Sequence, residues 1–458
     1  MQHPKVTVLG SGSLFFGRQA IWQMIHSPHL RTGTLALVDT DEQRMEKMAR
    51  LAEKVVAHTG VPLKIEAAAN RREVMKDSDF VILSFADRSA EFRGIDCEVS
   101  ARHGIRMCSG DTIGPGGIFR TLREFPEIMK VCQDVRALCP RAWVMNYINP
   151  TAAMGAGIRK YFPDLRSFAL CDGPHMPHFK RYYAIRAGII KRDEQLTPEV
   201  DKKFDMRVVG VNHFTWMIKA EYEGRNVMPK IAEWLRRQAA PETLGGDEGA
   251  KALHNEKVAW QLYQLFGCVP TCVGHTKEYV RFWQGLGKAE ELIPPLSIWQ
   301  AAPRYKRHDE MWKQVDGFLN GAIPIDSYMT TFKPDHATDI VENIVGRLGK
   351  TFYLNTANAG ALTNMDDGDY LELACSIDDG GIKTHPIGEM PRCLRGLVTQ
   401  VLDAHMAAVE AAVSCRRDDL LRAMLIDPIV SSIADANAII DELLAAERDA
   451  LPAKWFGS

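Results

Sequence analysis

One thiol and one imidazole in this sequence have the chemistry of metal ligands. Cys171 opens the segment Cys-Asp-Gly-Pro-His at the end of a predicted strand, and His213 lies in the segment Asn-His-Phe-Thr-Trp. Thiolate sulfur and imidazole nitrogen both bind borderline divalent metals, and two protein ligands would leave open positions for substrate oxygens. Because the two residues are far apart along the chain, a structural cysteine and an unrelated histidine are the alternative.

A glycine-containing loop at residues 10–13 follows the first predicted strand and precedes a predicted helix. Its two glycines let the backbone turn tightly and approach a pyrophosphate at the N-terminus of the helix. Phe15 replaces the third glycine of the usual Gly-x-Gly-x-x-Gly pattern, so a plain strand–helix turn is the alternative. Asp39 lies just after the second predicted strand, where a carboxylate can bind both ribose hydroxyls of NAD and repel the 2′-phosphate of NADP. The cofactor-binding residues predicted here are Gly10, Ser11, Gly12, Ser13 and Asp39.

Two further polar segments could contact a ligand. Residues 110–120 include the run Gly-Pro-Gly-Gly, which suits a cradle of exposed amides for an anion or a sugar, or a structural loop that opens a helix. Asn146 and Asn149 close another predicted strand. In doubly wound folds ligands collect at the carboxyl ends of strands, so these amides suit a nicotinamide ribose or a sugar hydroxyl. Ordinary turn chemistry before Pro150 is the alternative.

The elements that must position these residues alternate between strands and helices over the first 170 residues. Short apolar runs predict strands, and apolar residues at helical spacing predict helices between them. This alternation predicts an α/β fold with a Rossmann-type doubly wound parallel sheet. The predicted strands are 6–9, 34–38, 80–85, 142–147 and 167–171, and the predicted helices are 19–26, 41–58, 71–75 and 124–138.

After Cys171 the pattern changes to that of a mixed α+β domain. We therefore predict an NAD-binding domain at residues 1–172 and a substrate- and metal-binding domain at residues 173–458. Residues 236–250 and 284–310 are predicted to be surface connections. The predicted helices here are 177–187, 255–266, 391–415 and 435–448, and the predicted strands are 206–211, 216–222 and 351–356.

The composition is that of an ordinary globular protein of 458 residues. Lys and Arg total 56, Asp and Glu total 58, and the net charge is −2, so there is no electrostatic argument for binding nucleic acid or an anionic membrane. No apolar run approaches the length needed to cross a bilayer. The ten cysteines lack paired Cys-x-x-Cys spacing, and no signal segment precedes the first strand. These features predict a cytoplasmic enzyme with reduced thiols.

Taken together, the motifs resemble glycoside hydrolase family 4, the NAD- and metal-dependent glycosidases. The resemblance covers nearly the whole chain. It is carried by the loop at 10–13 and by the segments 110–120, 146–150, 171–174, 212–216, 335–337 and 355–360.

The resemblance implies hydrolysis by way of a redox step. NAD removes hydride from C3 of the sugar, and a divalent metal, usually Mn²⁺, polarises the resulting ketone. A base then removes the acidified C2 proton, and the aglycone leaves C1 with help from an acid. Water adds to the enone and NADH returns its hydride, so NAD is a cofactor and is not consumed.

The resemblance also implies roles for individual residues. Cys171 and His213 correspond to the metal ligands, and Asp172 corresponds to the acid. Tyr279 is the candidate base, with His275 as its alternative. The remaining matched positions are Asn146 and Asn149, which contact the cofactor or the sugar, and His336, for which a structural hydrogen bond is equally expected.

The resemblance limits the candidate sugars to a few classes but does not identify one. Residues 110–120 and 212–216 are similar to the branch that acts on α-galactosides and α-galacturonides, whereas Asp172 is similar to the 6-phospho-α-glucosidases. Arg93 lies near the position of a phosphate-contacting arginine, and its guanidinium would bind a phosphate or a uronate carboxylate; a surface ion pair is the alternative. A malate- or lactate-type dehydrogenase and an inactive NAD-binding protein are the rival functions. The family also implies a homo-oligomer.

Overall fold

A computed structural model describes residues 3–171, 173, 178–238, 246–284, 296–332 and 334–457, and its centre is one mixed sheet of thirteen strands. Six parallel strands form the N-terminal part in the spatial order β3-β2-β1-β4-β5-β6. This is the strand order of a Rossmann fold, so the predicted fold class is confirmed. The strands are β1 (Lys5–Leu9), β2 (Thr34–Val38), β3 (Lys64–Ala68), β4 (Phe80–Leu83), β5 (Trp143–Asn146) and β6 (Arg166–Ala169).

The remaining strands extend the same sheet with antiparallel pairing. The order continues from β6 as β11-β12-β7-β8-β10, with β13 paired to β12 and β9 paired to β8. Asn355 of β11 pairs with Ala169 of β6, so the sheet runs without a break past residue 172, while the predicted domain boundary there stays a prediction. These strands are β7 (Phe204–Val211), β8 (Phe214–Tyr222), β9 (Arg225–Asn226), β10 (Val269–Pro270), β11 (Thr351–Ala357), β12 (Tyr370–Asp378) and β13 (Gly381–Thr384).

Seventeen α-helices are found in the described ranges, and none of them is long and apolar enough to cross a membrane. They are α1 (Gly17–His26), α2 (Glu42–Thr59), α3 (Arg71–Val74), α4 (Ser89–Arg102), α5 (Gly114–Leu138), α6 (Thr151–Tyr161), α7 (His178–Arg186), α8 (Pro198–Lys203), α9 (Met228–Gln238), α10 (Gly246–Phe266), α11 (Val273–Thr276), α12 (Ala301–Asn320), α13 (Ile325–Thr331), α14 (His336–Gly346), α15 (Arg392–Ser414), α16 (Arg417–Ile426) and α17 (Ile433–Ala446).

Two predicted surface connections were wrong in part, because a helix begins or ends inside each of them. Residues 284–310 were predicted to be a surface connection, but α12 begins at residue 301. Its buried residues, Val315, Gly317 and Phe318, all lie in its C-terminal half, so its first turns carry no apolar stripe to reveal a helix. Residues 236–250 were also predicted to be a connection, but α9 ends at residue 238 and α10 begins at residue 246.

Helix α5 begins ten residues earlier than predicted, inside the glycine-rich segment. Pro115 is tolerated there because the first helical amides have no partner within the helix. The amide of Gly114 instead donates to the Asp427 carboxylate at 2.8 Å. Residues 110–113 therefore form a loop that opens α5, which is the alternative predicted for this segment beside a cradle of amides.

The middle of α5 carries a buried acid whose ionisation opposes folding. Burial raises the pKa of Glu124 to about 7, and this outweighs the lowering by Arg120 and Arg123. A glutamate with a raised pKa in the folded state takes up a proton on folding, so its contribution to stability falls as pH rises from about 4.5 to 7.

We expect Glu124→Gln to be more stable relative to the wild type at pH 7.5 than at pH 5, by about 1–3 kcal/mol. Urea unfolding of both proteins at the two pH values measures this difference. Glu127→Gln is the matched control, because Glu127 lies one turn further along α5 and is more than one third exposed in an ion pair with Arg71. A wild-type-minus-variant difference that is the same at both pH values would contradict the expectation.

Candidate active site

A cleft of about 1300 Å³ lies at the carboxyl ends of the parallel strands. Its walls come from the segments that follow β1, β2, β4 and β5, together with α12. This is the edge at which open α/β sheets bind ligands. Six of the predicted site residues line it, namely Gly10, Gly12, Ser13, Asp39, Arg93 and Asn149.

Two glycines shape the loop after β1 and the start of α1. Gly10 has a φ of +87°, and a Cβ atom there would lie 2.6 Å from the backbone nitrogen of Phe85. Gly17, the first residue of α1, approaches the Ser11 carbonyl so closely that a Cβ atom would lie 2.2 Å away. Gly17 therefore allows the close strand–helix contact that the sequence pattern places at residue 15. The usual pattern places the third glycine three residues after the second, whereas Gly17 lies five residues after Gly12. A search restricted to the usual spacing therefore misses Gly17.

Asp39 is held at the edge of the cleft by backbone amides. Its Oδ2 accepts from the amide of Gly12 at 2.8 Å, and its Oδ1 accepts from the amide of Asp41 at 3.0 Å. Each carboxylate oxygen keeps a second lone pair for a further hydrogen bond. The Arg44 guanidinium, which could attract a 2′-phosphate, is paired with Asp41 at 3.1 Å. The arrangement suits a ribose with free hydroxyls.

Two predicted cofactor-binding side chains do not reach the cleft. The amide of Asn146 donates to the carbonyl of Ile148 at 3.0 Å and accepts from its backbone nitrogen at 3.2 Å. Ser11 is fully buried, and its own backbone nitrogen donates to the Val38 carbonyl. The Asn146 side chain is therefore engaged in the turn chemistry named as its alternative, and contacts of Ser11 and Asn146 with the cofactor stay predictions.

A carboxylate surrounded by polar side chains lies at the end of the cleft nearest β5. Asp111 accepts from Arg120 at 3.1 Å and from Asn149 at 3.2 Å, and it lies 3.3 Å from the Arg93 guanidinium. Burial opposes its ionisation, but the two guanidinium groups hold the pKa of Asp111 far below its ordinary value. Arg93 also donates to the Ser109 carbonyl. Asp111 thus neutralises one of its two paired arginines and leaves this end of the cleft cationic.

Arg304, from the first turn of α12, adds a further cation at this end. Its guanidinium lies 5.1 Å from the centre of the Phe15 ring, and within the described ranges it forms no ion pair. Burial, together with the nearby Arg93, lowers its pKa from the usual value, as expected for a cation held among other cations. No sequence signal singles out Arg304, because the first turns of its helix carry no apolar stripe.

The predicted metal ligands are brought together by the fold. The Sγ of Cys171 lies 3.5 Å from Nδ1 of His213, a separation that a metal bound to both could bridge. The described part of the chain contains no group of three or more histidine, cysteine or acidic side chains suited to a metal, so the pair offers two ligands. Cys272, which sequence analysis did not select, lies 3.4 Å from the same Nδ1. Asp172 lies outside the described residues.

Buried side chains hold this pair in place. His336 hydrogen-bonds through Nδ1 to the carbonyl of Cys171 at 2.7 Å, which is one of the two roles predicted for it, the structural one. The side chain of Asn212 donates to the fully buried carboxylate of Glu372 at 3.2 Å. Glu372 lies more than 150 residues away along the chain, and no local pattern indicates this contact.

The two candidate bases both contact His213. The Tyr279 hydroxyl accepts from the His213 amide at 3.1 Å, and burial raises its pKa above the usual range. The His275 ring stacks on the His213 ring with centroids 4.1 Å apart, and its Nε2 lies 3.5 Å from the Ser109 hydroxyl. Burial and the adjacent His213 lower the pKa of His275 well below 6.5. Through Ser109, which donates to Asp111 at 3.1 Å, His275 links the metal pair to the cleft.

Comparison with known proteins gives the same picture over almost the whole chain. Residues 5–178 match the model of the family 4 glycosyl hydrolases, and residues 208–430 match the model of the C-terminal domain of that family. An α-galactosidase of Bacillus subtilis (strain 168) is 25% identical over 457 residues, which cover 98% of this chain and 99% of the relative. A maltose-6′-phosphate glucosidase of the same organism is 23% identical over 464 residues, covering 98% and 96%.

A solved structure shares the fold described above. The crystal structure of a 6-phospho-α-glucosidase from gut microorganisms, in complex with NAD and Mn²⁺, superposes with a TM-score of 0.80 at 18% identity. The alignment covers 98% of this chain and 99% of the other.

Proposed function

The chain belongs to the family 4 glycosyl hydrolases, and on that premise we propose that it hydrolyses α-glycosides of an anionic sugar. The cofactors proposed are NAD and a divalent metal, with Mn²⁺ as the first choice, because a similar structure holds both. A hexuronide, such as an α-galacturonide, is the proposed substrate class. A 6-phospho-α-glucoside is the second candidate, because that solved enzyme and the maltose-6′-phosphate glucosidase act on phosphorylated sugars by their names.

The residues present fit both cofactors. The loop at 10–13 and Asp39 suit the pyrophosphate and a ribose of NAD, while a thiol and an imidazole 3.5 Å apart suit a borderline divalent metal. When bound, NAD supplies a reversible hydride acceptor and the metal supplies a Lewis acid. The remaining chemistry is the work of the side chains: binding the sugar, removing a proton and donating one to the leaving group.

Two side chains would move protons in this scheme, a base and an acid. Tyr279 is the proposed base because its hydroxyl lies 3.1 Å from the backbone nitrogen of the metal-ligand residue His213. A cation bound nearby would lower the pKa that burial raises. His275 is its alternative, as a neutral imidazole linked through Ser109 to the cleft. Asp172, by its place beside Cys171, remains the proposed acid for the departing aglycone.

The choice of an anionic sugar rests on Arg304. Arg93 and Arg120 already share the Asp111 carboxylate, whereas Arg304 has no ion-pair partner among the described residues. One guanidinium can bind one carboxylate through two parallel hydrogen bonds. A single free arginine suits a singly charged uronate better than a phosphate that carries nearly two charges. Arg93 and Asn149, which line the same end, would then fix Asp111 beside the sugar.

A panel of aryl glycosides tests the proposal directly. The protein is incubated with NAD and Mn²⁺ and with an aryl α-galacturonide, α-galactoside or 6-phospho-α-glucoside, each with and without a chelator. We expect release of the phenol from the galacturonide with no net NADH, and loss of turnover when the chelator is present. NADH formed in proportion to substrate would instead indicate a dehydrogenase, and full turnover with the chelator would exclude the metal.

The protein would act in a reducing compartment. All ten cysteines are free in the structure, and the cytoplasm is where such thiols persist. We keep the cytoplasm as the proposed location.

A further inference from the structure

We propose that α12 forms the second wall of the dinucleotide cleft and that Trp312 binds the adenine of the cofactor. The inference rests on the NAD-binding part of the proposed function and adds a contact from outside the Rossmann-type half of the sheet.

One face of α12 follows the cleft along its length. Arg304, His308 and Trp312 all line the cleft, and they are spaced four residues apart, so they lie on the same side of the helix. Eight residues of α-helix rise by about 12 Å, which is comparable to the distance from the nicotinamide end to the adenosine half of an extended dinucleotide. The face offers a guanidinium, an imidazole and an indole in that order.

The direction of this face is fixed by its neighbours at each end. Arg304 is influenced electrostatically by Arg93, Asp111 and Arg120, which belong to the sugar end of the cleft. Trp312 lies at the opposite end, where the Arg44 guanidinium is 5.9 Å from the centre of its ring.

Arg44 ties Trp312 to the ribose-binding carboxylate. A Cβ atom built on Gly12 would lie 3.0 Å from the Cβ of Arg44 and 2.8 Å from Oδ2 of Asp39. Asp39 directly follows β2, where a Rossmann fold binds the ribose of the adenosine half. The indole and the guanidinium therefore lie where the adenine must emerge from that ribose, and both groups stack readily on a base.

The middle of the face suits the linking phosphates. The His308 ring lies 5.9 Å from the ring of Phe15, which lies two residues after the glycine loop. Burial and the adjacent Arg304, Arg44 and Arg307 lower the pKa of His308 below its ordinary value. These three guanidinium groups outnumber the one carboxylate that also acts on His308, that of Asp309. The local charge therefore still favours an anion, to which a neutral imidazole can donate a hydrogen bond.

Trp312 also lies 5.7 Å from Lys47 of α2, so its indole could have a purely structural role. Measuring the binding of each half of the cofactor separately distinguishes that role from adenine binding. The full-length protein is titrated calorimetrically with AMP and, separately, with nicotinamide mononucleotide. We expect Trp312→Ala to weaken AMP binding about 10-fold and to change binding of the nicotinamide half less than about 2-fold.

Fluorescence provides a second test, which does not require that the Trp312→Ala variant folds. AMP should quench part of the tryptophan emission of the wild type, and Trp312→Phe should abolish that quenching while keeping the affinity. Trp260→Phe, which removes an indole of α10 outside the cleft lining, should leave the quenching in place.

Two outcomes would overturn the inference while leaving the proposed function intact. These are AMP affinity that is unchanged in Trp312→Ala, or full quenching that persists in Trp312→Phe. A wild-type protein that binds neither NAD nor AMP would overturn the cofactor assignment itself, and this inference with it.

Discussion

Replacing Cys171 with serine should lower kcat for glycoside hydrolysis by about 1000-fold, because Lewis-acid stabilisation by a metal contributes several kcal/mol. Cys171 is one of the two proposed metal ligands, with its Sγ 3.5 Å from Nδ1 of His213. A serine hydroxyl stays protonated near neutral pH and binds a borderline metal far less well. Aryl glycoside hydrolysis measured over a Mn²⁺ titration should show both the loss of kcat and a large rise in the Mn²⁺ concentration for half-activation.

Cys272→Ser is the matched control for this experiment. Its thiol lies 3.4 Å from the same imidazole nitrogen, but it belongs to the residue before α11 and is not followed by the proposed acid. We expect it to keep kcat within a few-fold of the wild type. If Cys272→Ser lost the Mn²⁺ dependence and Cys171→Ser kept it, the metal would be bound by the other thiol.

The second large effect expected is on the choice of sugar. Arg304→Ala should reduce kcat/KM for an aryl α-galacturonide by about 30- to 100-fold, since a charge-assisted hydrogen-bonded pair contributes about 2–3 kcal/mol. The same substitution should leave kcat/KM for the neutral α-galactoside unchanged or improved, because that sugar has no carboxylate to bind. Initial rates with both substrates at saturating NAD and Mn²⁺ measure the two ratios.

Arg307→Ala isolates this effect on the same helix. Arg307 lies three residues further along α12, is exposed, and contacts the same Phe15 ring at 5.0 Å, but it does not line the cleft. Replacing Arg307 with alanine should leave kcat/KM unchanged for both the α-galacturonide and the α-galactoside. An equal loss on both sugars with Arg304→Ala would mean that the arginine supports the cofactor loop or the fold and does not select the substrate.

The parallel half of the sheet was predictable because its signals are local. β1, β2, β4 and β5 are almost fully buried apolar runs, and a strand covered on both faces is apolar at successive residues. Cys171 and His213 lie at or beside strand ends, and the family resemblance, together with their side-chain chemistry, predicts them as a metal pair. β3 escaped prediction because its exposed and half-buried residues give no such run.

The parts of the site that sequence could not supply depend on contacts between distant segments. Glu372 supports Asn212 from another strand, and Cys272 reaches His213 from the start of α11. Asn146 has the residue type and position of a ligand, but its side chain closes its own turn. Arg304 could have been found only after its helix was recognised. Once the bounds of α12 are known, the four-residue spacing of Arg304, His308 and Trp312 places them on one face.

The single sheet also bears on how the protein can be divided. The open side of β6 is covered by β11, a strand contributed from more than 180 residues further along the chain. A fragment ending soon after β6 would leave that strand with unsatisfied backbone donors and acceptors, which is the usual template for aggregation. Although the six parallel strands have the order of a complete Rossmann fold, a fragment that contains only them is therefore unsuitable for measuring nucleotide affinity.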